Sequence, residues 1–447
     1  MNRSENFKGC FSHLFLPINR QLLGLFFQVC PSNQIFNGQK NPSKIKVLKF
    51  SDRVMRSIFF FLAFVVAAFA QDPDILYLTW KDDPSTTMTI VWHTDTGSKP
   101  LALFSKSADG EGWIEHTSSV ERLCGSPIEI YQSELTNLAP DTEYFFRLDD
   151  GPLHRFRTLP DTLDRPLRVA VGGDAYQVKC IFEKINDTVA SQSPDFAIVG
   201  GDVAYSEGLS TALRTHLWRV ERWEEFFRIW TKQMVTSEGR IIPIMSTIGN
   251  HDLKEGFDNP MRHKVLYYQM FPLPRKGISY QKMKIGKDVC FFLLDSGHSY
   301  PPGGAQAEWL EKELKEEEDT SFKVPVYHIG AYPSETSYIH RGSKDIRKFW
   351  CPLFEKYGVK VSIENDNHTF KRTFPIRDGK VDRENGVIYV GDGAWGVTPL
   401  KPKRHWYLAK AAQTNCYWLV TFTKEGALYQ AFNLEGQLID ELTVEID

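Results

Sequence analysis

Metal-binding side chains follow several apolar runs that we predict to be buried strands. Asp174 and Asp202 each come directly after a Val-Gly-Gly segment, residues 250–252 (Asn-His-Asp) follow Ile-Gly, and His328 follows Val-Tyr. In open α/β sheets, ligands bind in the crevice outside the carboxyl ends of the strands. Carboxylate, amide and imidazole groups that converge there can hold a pair of divalent or trivalent ions. The spacing therefore predicts a two-metal centre at one sheet edge.

No single one of these residues is specific. A Gly-Asp pair after a strand more often forms a turn or a helix cap, and an isolated tyrosine or histidine is more often a packed residue. Their order is more informative, because Asp, Asp-x-x-Tyr, Asn-His and His stand at successive strand ends. The glycines let the backbone turn sharply, which brings a short Asp side chain close to an ion. We expect one common pocket that contains Asp174, Asp202, Tyr205, Asn250, His328 and His368.

The sequence changes its pattern near residue 161. From residue 72 to residue 160, short runs of alternating apolar and polar residues are separated by turn residues, which is typical of a small antiparallel sandwich. From residue 161 to residue 447, buried-strand runs alternate with helical stretches, which indicates an α/β layered domain that ends in further strands. Helices are expected near residues 178–189, 209–233, 305–317 and 344–357.

Residues 55–70 have the organisation of a signal peptide. Met55-Arg56-Ser57 supplies a basic start, residues 58–68 are apolar, and an A-x-A sequence ends at Ala70. The apolar run is shorter than the roughly 20 residues that cross a bilayer, so we expect cleavage after Ala70 and no stable membrane anchor. Export would deliver the protein outside the cell, to a periplasm, or to a vacuole or lysosome. Residues 1–54 lie upstream, and Met55 is an alternative start of translation.

Composition and charge argue against several classes of protein. The chain has 447 residues, of which 42% are hydrophobic and 24% are charged, as in a globular protein. Its formal net charge is -3 and its Lys and Arg residues are scattered, so nucleic-acid binding is not expected. The wide spacing of the cysteines matches neither a zinc finger nor a small disulfide framework. Asn186-Asp-Thr188 fits the sequon for N-glycosylation.

The order of the metal-binding motifs resembles the signature blocks of the purple acid phosphatases. These are calcineurin-like metallophosphoesterases that carry an N-terminal fibronectin type III-like domain. The resemblance extends from about Leu78 to Phe432. It implies a layered sandwich of β-sheets flanked by helices, preceded by an all-β sandwich.

The resemblance also implies a dinuclear metal centre. One ion is usually ferric iron, and the other is a divalent ion such as iron, zinc or manganese. The implied ligands are Asp174, Tyr205 and His368 for the first ion, and Asn250 and His328 for the second ion, with Asp202 bridging the two.

One block departs from the family pattern. Where the family has Gly-His-x-His, this chain has Asn365-Asp-Asn-His368, so Asp366 stands in place of a metal-binding imidazole. A carboxylate can still bind the second ion, but its charge weakens the Lewis acidity of that ion and favours manganese or magnesium over zinc. A shift of one residue, with Asn365 or Asn367 as the ligand, is the alternative.

The resemblance implies hydrolysis of small phosphate monoesters below neutral pH, by a hydroxide that the two ions activate. His251 is expected to stabilise developing charge or to protonate the leaving group, and Asp252 to orient the His251 ring. His340 is a further candidate for substrate binding. Two alternatives stay open: hydrolysis of phosphodiesters such as nucleotides or lipid headgroups, and an exported binding module that has lost its second ion. The sequence does not indicate an oligomeric state.

Overall fold

The computed structural model describes residues 73–95, 101–109, 111–210, 215–253 and 266–446. The expected signal peptide and the residues upstream of it lie outside this part of the chain. Among the described residues, no helix combines the length and the apolar character that a membrane span requires.

Eight antiparallel strands form an N-terminal sandwich of two four-stranded sheets. The strands are β1 (Ile75–Thr79), β2 (Met88–Asp95), β3 (Ala102–Ser105), β4 (Ile114–His116), β5 (Ser119–Arg122), β6 (Ile128–Leu135), β7 (Glu143–Leu148) and β8 (His154–Arg157). Their orders are β1-β2-β6-β5 and β4-β3-β7-β8. Alternate residues of both sheets, among them Trp92, Tyr131 and Phe146, face a shared core.

The rest of the described chain contains two large mixed sheets and two short hairpins. Its strands are β9 (Leu167–Gly172), β10 (Phe196–Gly200), β11 (Glu207–Ser210), β12 (Thr215–Trp218), β13 (Ile244–Thr247), β14 (Gln281–Ile285), β15 (Val289–Leu293), β16 (Phe322–Ile329), β17 (Val361–Asn365), β18 (Phe370–Thr373), β19 (Ile376–Arg377), β20 (Lys380–Val381), β21 (Ile388–Gly391), β22 (Leu408–Ala412), β23 (Cys416–Phe422), β24 (Gly426–Asn433) and β25 (Leu438–Glu445). One sheet has the order β13-β10-β9-β23-β24-β25, and the other has the order β14-β15-β16-β17-β21-β18-β22. β11 pairs with β12, and β19 pairs with β20.

Helices cover the outer faces of the two large sheets. They are α1 (Lys179–Ser191), α2 (Val220–Gln233), α3 (Tyr267–Met270), α4 (Ala305–Glu316), α5 (Arg341–Phe349) and α6 (Cys351–Lys356). α1 and α2 share an apolar core with one face of the β9-containing sheet, and α4, α5 and α6 share one with the β16-containing sheet. The inner faces of the two sheets pack in a core that is continuous with the core of the N-terminal sandwich. Since β9, β10 and β15 are buried on both faces, their sequences are nearly continuous apolar runs.

The layered α/β domain and the preceding all-β sandwich confirm the predicted fold class. The prediction of a helix over residues 209–233 is wrong in its first half, because residues 207–210 and 215–218 pair as an antiparallel hairpin and the helix begins at Val220. The single helix expected over residues 344–357 is two helices. Pro352 has no N–H to continue the first helix and lies in the first turn of the second.

Candidate metal centre

Two adjacent parallel strands end at the candidate site. Asp174 follows β9 and Asp202 follows β10, and the N–H of Asp174 donates to the carbonyl of Gly201 at 3.0 Å. Non-glycine residues rarely have positive φ, and such strain is concentrated at functional sites. Of the ten such residues in the described part, five are candidate ligands: Asp174, Asp202, Tyr205, Asp366 and His368.

Asp174, Tyr205 and His368 form a cluster of candidate ligands, which we call the first ligand cluster. The Tyr205 hydroxyl donates to Oδ1 of Asp174 at 2.9 Å and lies 3.0 Å from Nε2 of His368. That nitrogen lies 3.1 Å from Oδ1 of Asp174. Atoms that bind one ion at about 2.1 Å lie roughly 3 Å apart in octahedral coordination. The three atoms therefore have the mutual spacing of ligands on a common ion.

His328 is the centre of the second ligand cluster. Its Nδ1 lies 3.0 Å from the carbonyl oxygen of Gly200, which can accept its hydrogen and leave the lone pair on Nε2. Nε2 faces Oδ1 of Asn250 at 3.1 Å, Oδ1 of Asp202 at 3.3 Å and Oδ1 of Asp366 at 3.6 Å. With Nδ1 protonated, all four atoms are acceptors, so a proton or a metal ion must lie between them.

Asp202 connects the two clusters. One ligand atom each from Asp174, Asp202 and His328 lie within 4.8 Å of one another, and all three side chains are buried. Two ions in dinuclear centres are about 3.5–4 Å apart, a separation that a shared carboxylate can span. The geometry therefore fits a bridging role for Asp202.

The charges of the site also fit bound cations. Burial raises the pKa of Asp366 to about 7; His328 opposes this shift, and Asp174 and Asp202 reinforce it. Burial also acts to raise the pKa of Asp202, but the adjacent His328 and His251 lower it by more, so its net shift is downward. Three carboxylates share this small volume, and positive ions would compensate their charge.

The structure brings Asp366, and neither adjacent asparagine, to the second cluster. The Asn365 side chain donates to the carbonyl of Tyr327 at 2.8 Å. The Asn367 side-chain oxygen accepts the N–H groups of residues 335 and 336 at 2.8 and 2.7 Å. Because both amides are held by backbone partners, the geometry favours Asp366 over the alternative of a shift by one residue.

His251 and Asp252 lie beside the clusters in different ways. The half-buried His251 ring stacks on Tyr205, with ring centroids 4.7 Å apart, and its backbone N–H donates to Asp202 at 2.8 Å. Asp252 is buried, and its two oxygens accept the N–H groups of Val203 and Gly249 at 3.0 and 2.9 Å. These two bonds tie the segment after Asp202 to the loop that carries Asn250. Among the described residues, Asp252 has no hydrogen bond to the His251 ring.

Two other residues singled out by the sequence lie outside the clusters. His340 precedes α5 and lines a separate pocket with Arg341 and residues 301–302. The predicted glycosylation of Asn186 conflicts with the fold, since its side chain is buried in α1 and accepts a hydrogen bond from Nε1 of Trp395 at 2.8 Å. A glycan cannot be attached to this amide in the folded chain.

A buried charged network behind the second cluster was not found from the sequence. Nζ of Lys371 donates to Glu364 at 2.5 Å and to the carbonyl of Tyr332 at 2.7 Å, and it lies 3.2 Å from Asp392. These three charged side chains have no solvent exposure. Glu364 precedes the Asn365-Asp366 ligand block, and Asp392 exchanges two backbone hydrogen bonds with Thr369. Ionisable residues within or directly after predicted strands were the available signal.

Gly393 provides a test of the first cluster. A Cβ atom on Gly393 would lie 1.9 Å from Oδ2 of Asp174, whereas a Cβ atom on Gly379 would contact nothing within 4 Å. The two glycines have nearly equal positive φ, 67° and 68°, so alanine introduces left-handed backbone strain at both positions. We expect Gly393→Ala to lower turnover by about 10- to 100-fold and to lower metal content, as loss of ligand support does. Gly379→Ala should only lower the free energy of unfolding, by about 1–2 kcal/mol.

Both variants are compared by elemental analysis, phosphatase assay and urea unfolding. Equal metal content in the two variants would mean that metal binding does not require the space that Gly393 leaves for the Asp174 side chain.

Known proteins resemble this chain in sequence and in architecture. Residues 73–158 match the family described as purple acid phosphatase, N-terminal domain, and residues 153–363 match the calcineurin-like phosphoesterases. A probable purple acid phosphatase of Arabidopsis thaliana is 25% identical over 72% of this chain and 71% of its own length. An uncharacterized protein of Mycobacterium tuberculosis is 26% identical over 68% of this chain; the match spans 62% of that protein.

A solved structure shows the same fold. The purple acid phosphatase PPD1 from yellow lupin (Lupinus luteus) seeds superposes with a TM-score of 0.69, at 17% sequence identity, over 83% of this chain and 74% of that chain. The N-terminal match, the phosphoesterase match and the shared fold agree with one another, and the chain belongs to the purple acid phosphatase family of calcineurin-like metallophosphoesterases.

Proposed function

We propose that the protein hydrolyses phosphate monoesters at a dinuclear metal centre. The observation that carries this proposal is the position of Asp202 between two clusters of ligand atoms, each with the spacing of a metal site. When bound, two such ions stabilise charge on the phosphoryl oxygens and lower the pKa of water. The signal-peptide pattern of residues 55–70 supports export as part of the proposal.

The proposed ligands divide into the two clusters. Tyr205 would bind the first ion, proposed to be ferric iron, as a phenolate, which a trivalent ion stabilises better than a divalent one. The second ion is proposed to be divalent. Asp366 makes its ligand set more anionic than a set with a second imidazole, which favours manganese, magnesium or iron over zinc. The proposed ligands are Asp174, Tyr205 and His368 for the first ion and Asn250, His328 and Asp366 for the second, with Asp202 bridging.

Other residues of the chain have proposed roles in orientation and proton transfer. His251 is half-buried beside Tyr205, so its ring is held near the centre and can protonate the leaving oxygen of an ester. The same residue orients Asp202 through its backbone N–H. Asp252 keeps this loop against the segment after Asp202 through its bonds to Val203 and Gly249.

Metal analysis with an activity assay tests the proposal. We expect about two equivalents of metal in the purified protein, turnover of p-nitrophenyl phosphate that is fastest below neutral pH, and loss of turnover on chelation. Ferric iron bound by Tyr205 would also give a visible phenolate-to-iron absorption band. Bis-p-nitrophenyl phosphate serves as the matched diester, and it should be turned over more slowly.

The same measurements distinguish the alternatives. Faster turnover of the diester would favour a phosphodiesterase. One equivalent of metal without turnover of either ester would contradict the proposal and favour a non-catalytic binding module.

A further inference from the structure

Three exposed apolar side chains lie on two segments, residues 333–341 and 400–407, that are hydrogen-bonded to the loop that carries His368. Ile339 is 67% exposed, Leu400 is 42% exposed and Trp406 is 51% exposed. Isolated exposed apolar residues are ordinary, whereas a group of them marks a binding surface. These three are a third of the nine large apolar residues that are exposed in the described part of the chain. We call them, together with the half-buried Tyr338, the apolar rim.

Both segments of the apolar rim are attached to the ligand-bearing loop. The N–H of Leu400 donates to the carbonyl of His368 at 2.8 Å. Residues 335 and 336 donate to the side chain of Asn367, which stands between Asp366 and His368. The rim segments therefore begin at residues that lie beside both ligand clusters.

The two rim segments also contact each other. The N–H of Lys403 donates to the carbonyl of Ser334 at 2.8 Å, and the Tyr407 hydroxyl donates to the carbonyl of Pro333 at 2.6 Å. The Trp406 ring meets the Tyr338 ring edge-on, with centroids 6.4 Å apart. The aromatic contact and these hydrogen bonds thus hold the two rim segments together.

The rim also carries positive charge. Lys401 and Arg404 are exposed on one of the two segments, whereas Lys403 and Arg341 are paired with Glu335 at 2.8 Å and with Asp345 at 3.9 Å. Cations attract a phosphate group, whereas apolar side chains attract a hydrocarbon or aromatic group. A ligand that satisfies both is an anionic phosphate joined to an apolar group.

We propose that the apolar rim binds the leaving group of the substrate, and that the preferred substrates are phosphate monoesters with an alkyl or aryl leaving group. This inference rests on the proposed function, since it assigns a substrate class to the same site. A membrane surface is the competing occupant, because aromatic and basic residues also mark membrane interfaces. Three exposed apolar side chains offer less area than membrane-binding helices bury, which favours a small ligand.

A series of n-alkyl phosphates from ethyl to octyl, kept below their micelle concentrations, tests the proposal. The acidity of the leaving alcohol is nearly constant along the series, so chain length changes apolar contact alone. Full burial of one CH2 corresponds to about a fourfold gain, and we expect about a twofold gain in kcat/KM per CH2 at this partly exposed surface. Calorimetric binding of n-alkylphosphonates should show the same dependence on chain length without any turnover.

Two matched variants, one in the apolar rim and one outside it, test whether the rim causes the dependence on chain length. Leu400→Ala removes a rim side chain that is 42% exposed, and Leu438→Ala removes one that is 49% exposed at the start of the edge strand β25. Leu400→Ala should weaken octylphosphonate binding about five- to tenfold, and ethylphosphonate much less. Trp406→Ala should likewise weaken the binding of octylphosphonate more than that of ethylphosphonate. Leu438→Ala should keep the wild-type dependence of phosphonate binding on chain length.

Flat dependence on chain length in both assays would overturn the substrate class. If ethyl phosphate is still turned over in that case, the proposed function stands without the rim. Length-dependent phosphonate binding that Leu400→Ala removes would support the rim even if no ester is turned over. A third outcome is that the protein sediments with anionic vesicles, that Trp406→Ala abolishes this sedimentation, and that kcat/KM does not change with alkyl chain length. This outcome would assign the rim to a membrane surface and overturn the proposal.

Discussion

Replacing Asp202 with asparagine is expected to lower the turnover of p-nitrophenyl phosphate by more than about 10³-fold, as when one member of a catalytic unit is removed. Asp202 lies between the two ligand clusters and accepts the His251 N–H at 2.8 Å. An amide retains the shape of the side chain but removes the charge that a bridging ligand supplies to both ions. Metal content, measured on the same sample, should fall by about one equivalent or more.

Asp195→Asn is the matched control for this variant. Asp195 is also buried, but it precedes β10, at the opposite end of the strand from Asp202, and accepts the N–H of Arg168 at 2.9 Å. Its replacement should lower the free energy of unfolding by about 1–3 kcal/mol and leave metal content unchanged. If Asp202→Asn retains both metal and turnover, the bridging role is excluded. If both variants lose metal equally, the loss reflects general destabilisation.

Lys371→Met is expected to lower the free energy of unfolding by about 3–5 kcal/mol, because it leaves Glu364 and Asp392 as buried carboxylates without their cation. Burial lowers the pKa of Lys371, but these two carboxylates raise it by more, so the ammonium stays charged in the folded chain. Urea unfolding in excess metal measures the change. Adding Glu364→Gln to Lys371→Met should recover part of the lost free energy of unfolding, since the second replacement removes one of the two uncompensated charges.

Lys410→Met is the control for Lys371→Met. Lys410 lies on β22, the strand that pairs with the strand of Lys371, and it forms an ion pair with Asp440 while 51% of its side chain is exposed. Arg372 also pairs with Asp440 at 2.5 Å, so the carboxylate keeps a partner when Lys410 is replaced. Exposed pairs contribute about 0–1 kcal/mol, and we expect a change in that range. Equal effects of the two lysine variants would contradict the role assigned to the buried network.

Much of the layered fold was predictable because strands buried on both faces have a local signature. The runs that became β9, β10 and β15 are apolar at nearly every position, and such runs are typical of parallel strands covered by helices. The segment after Tyr205 was misassigned because its apolar spacing fits a helix as well as a strand. The hairpin there depends on cross-strand partners such as Glu207 and Trp218, which the periodicity does not reveal.

The roles of individual site residues were less predictable than their location. Asp252 was expected to orient the His251 ring, yet its oxygens accept hydrogen bonds from the backbone N–H groups of two loops. The buried network was missed because Glu364, Lys371 and Asp392 come from three strands or strand ends, and their attraction exists only once those strands are adjacent.

By itself, the sequence determined which ligand types stand at which strand ends and in what order. This information is local, since an apolar run followed by Gly and a polar residue defines both the strand and its end. Only the tertiary structure decided which side chain of the Asn365-Asp-Asn-His368 block faces the centre. The left-handed backbone at Asp366, with φ of 80°, and the N–H groups that hold Asn367 from 31 and 32 residues away set these directions. Side-chain direction depends on such distant partners, and no local pattern encodes them.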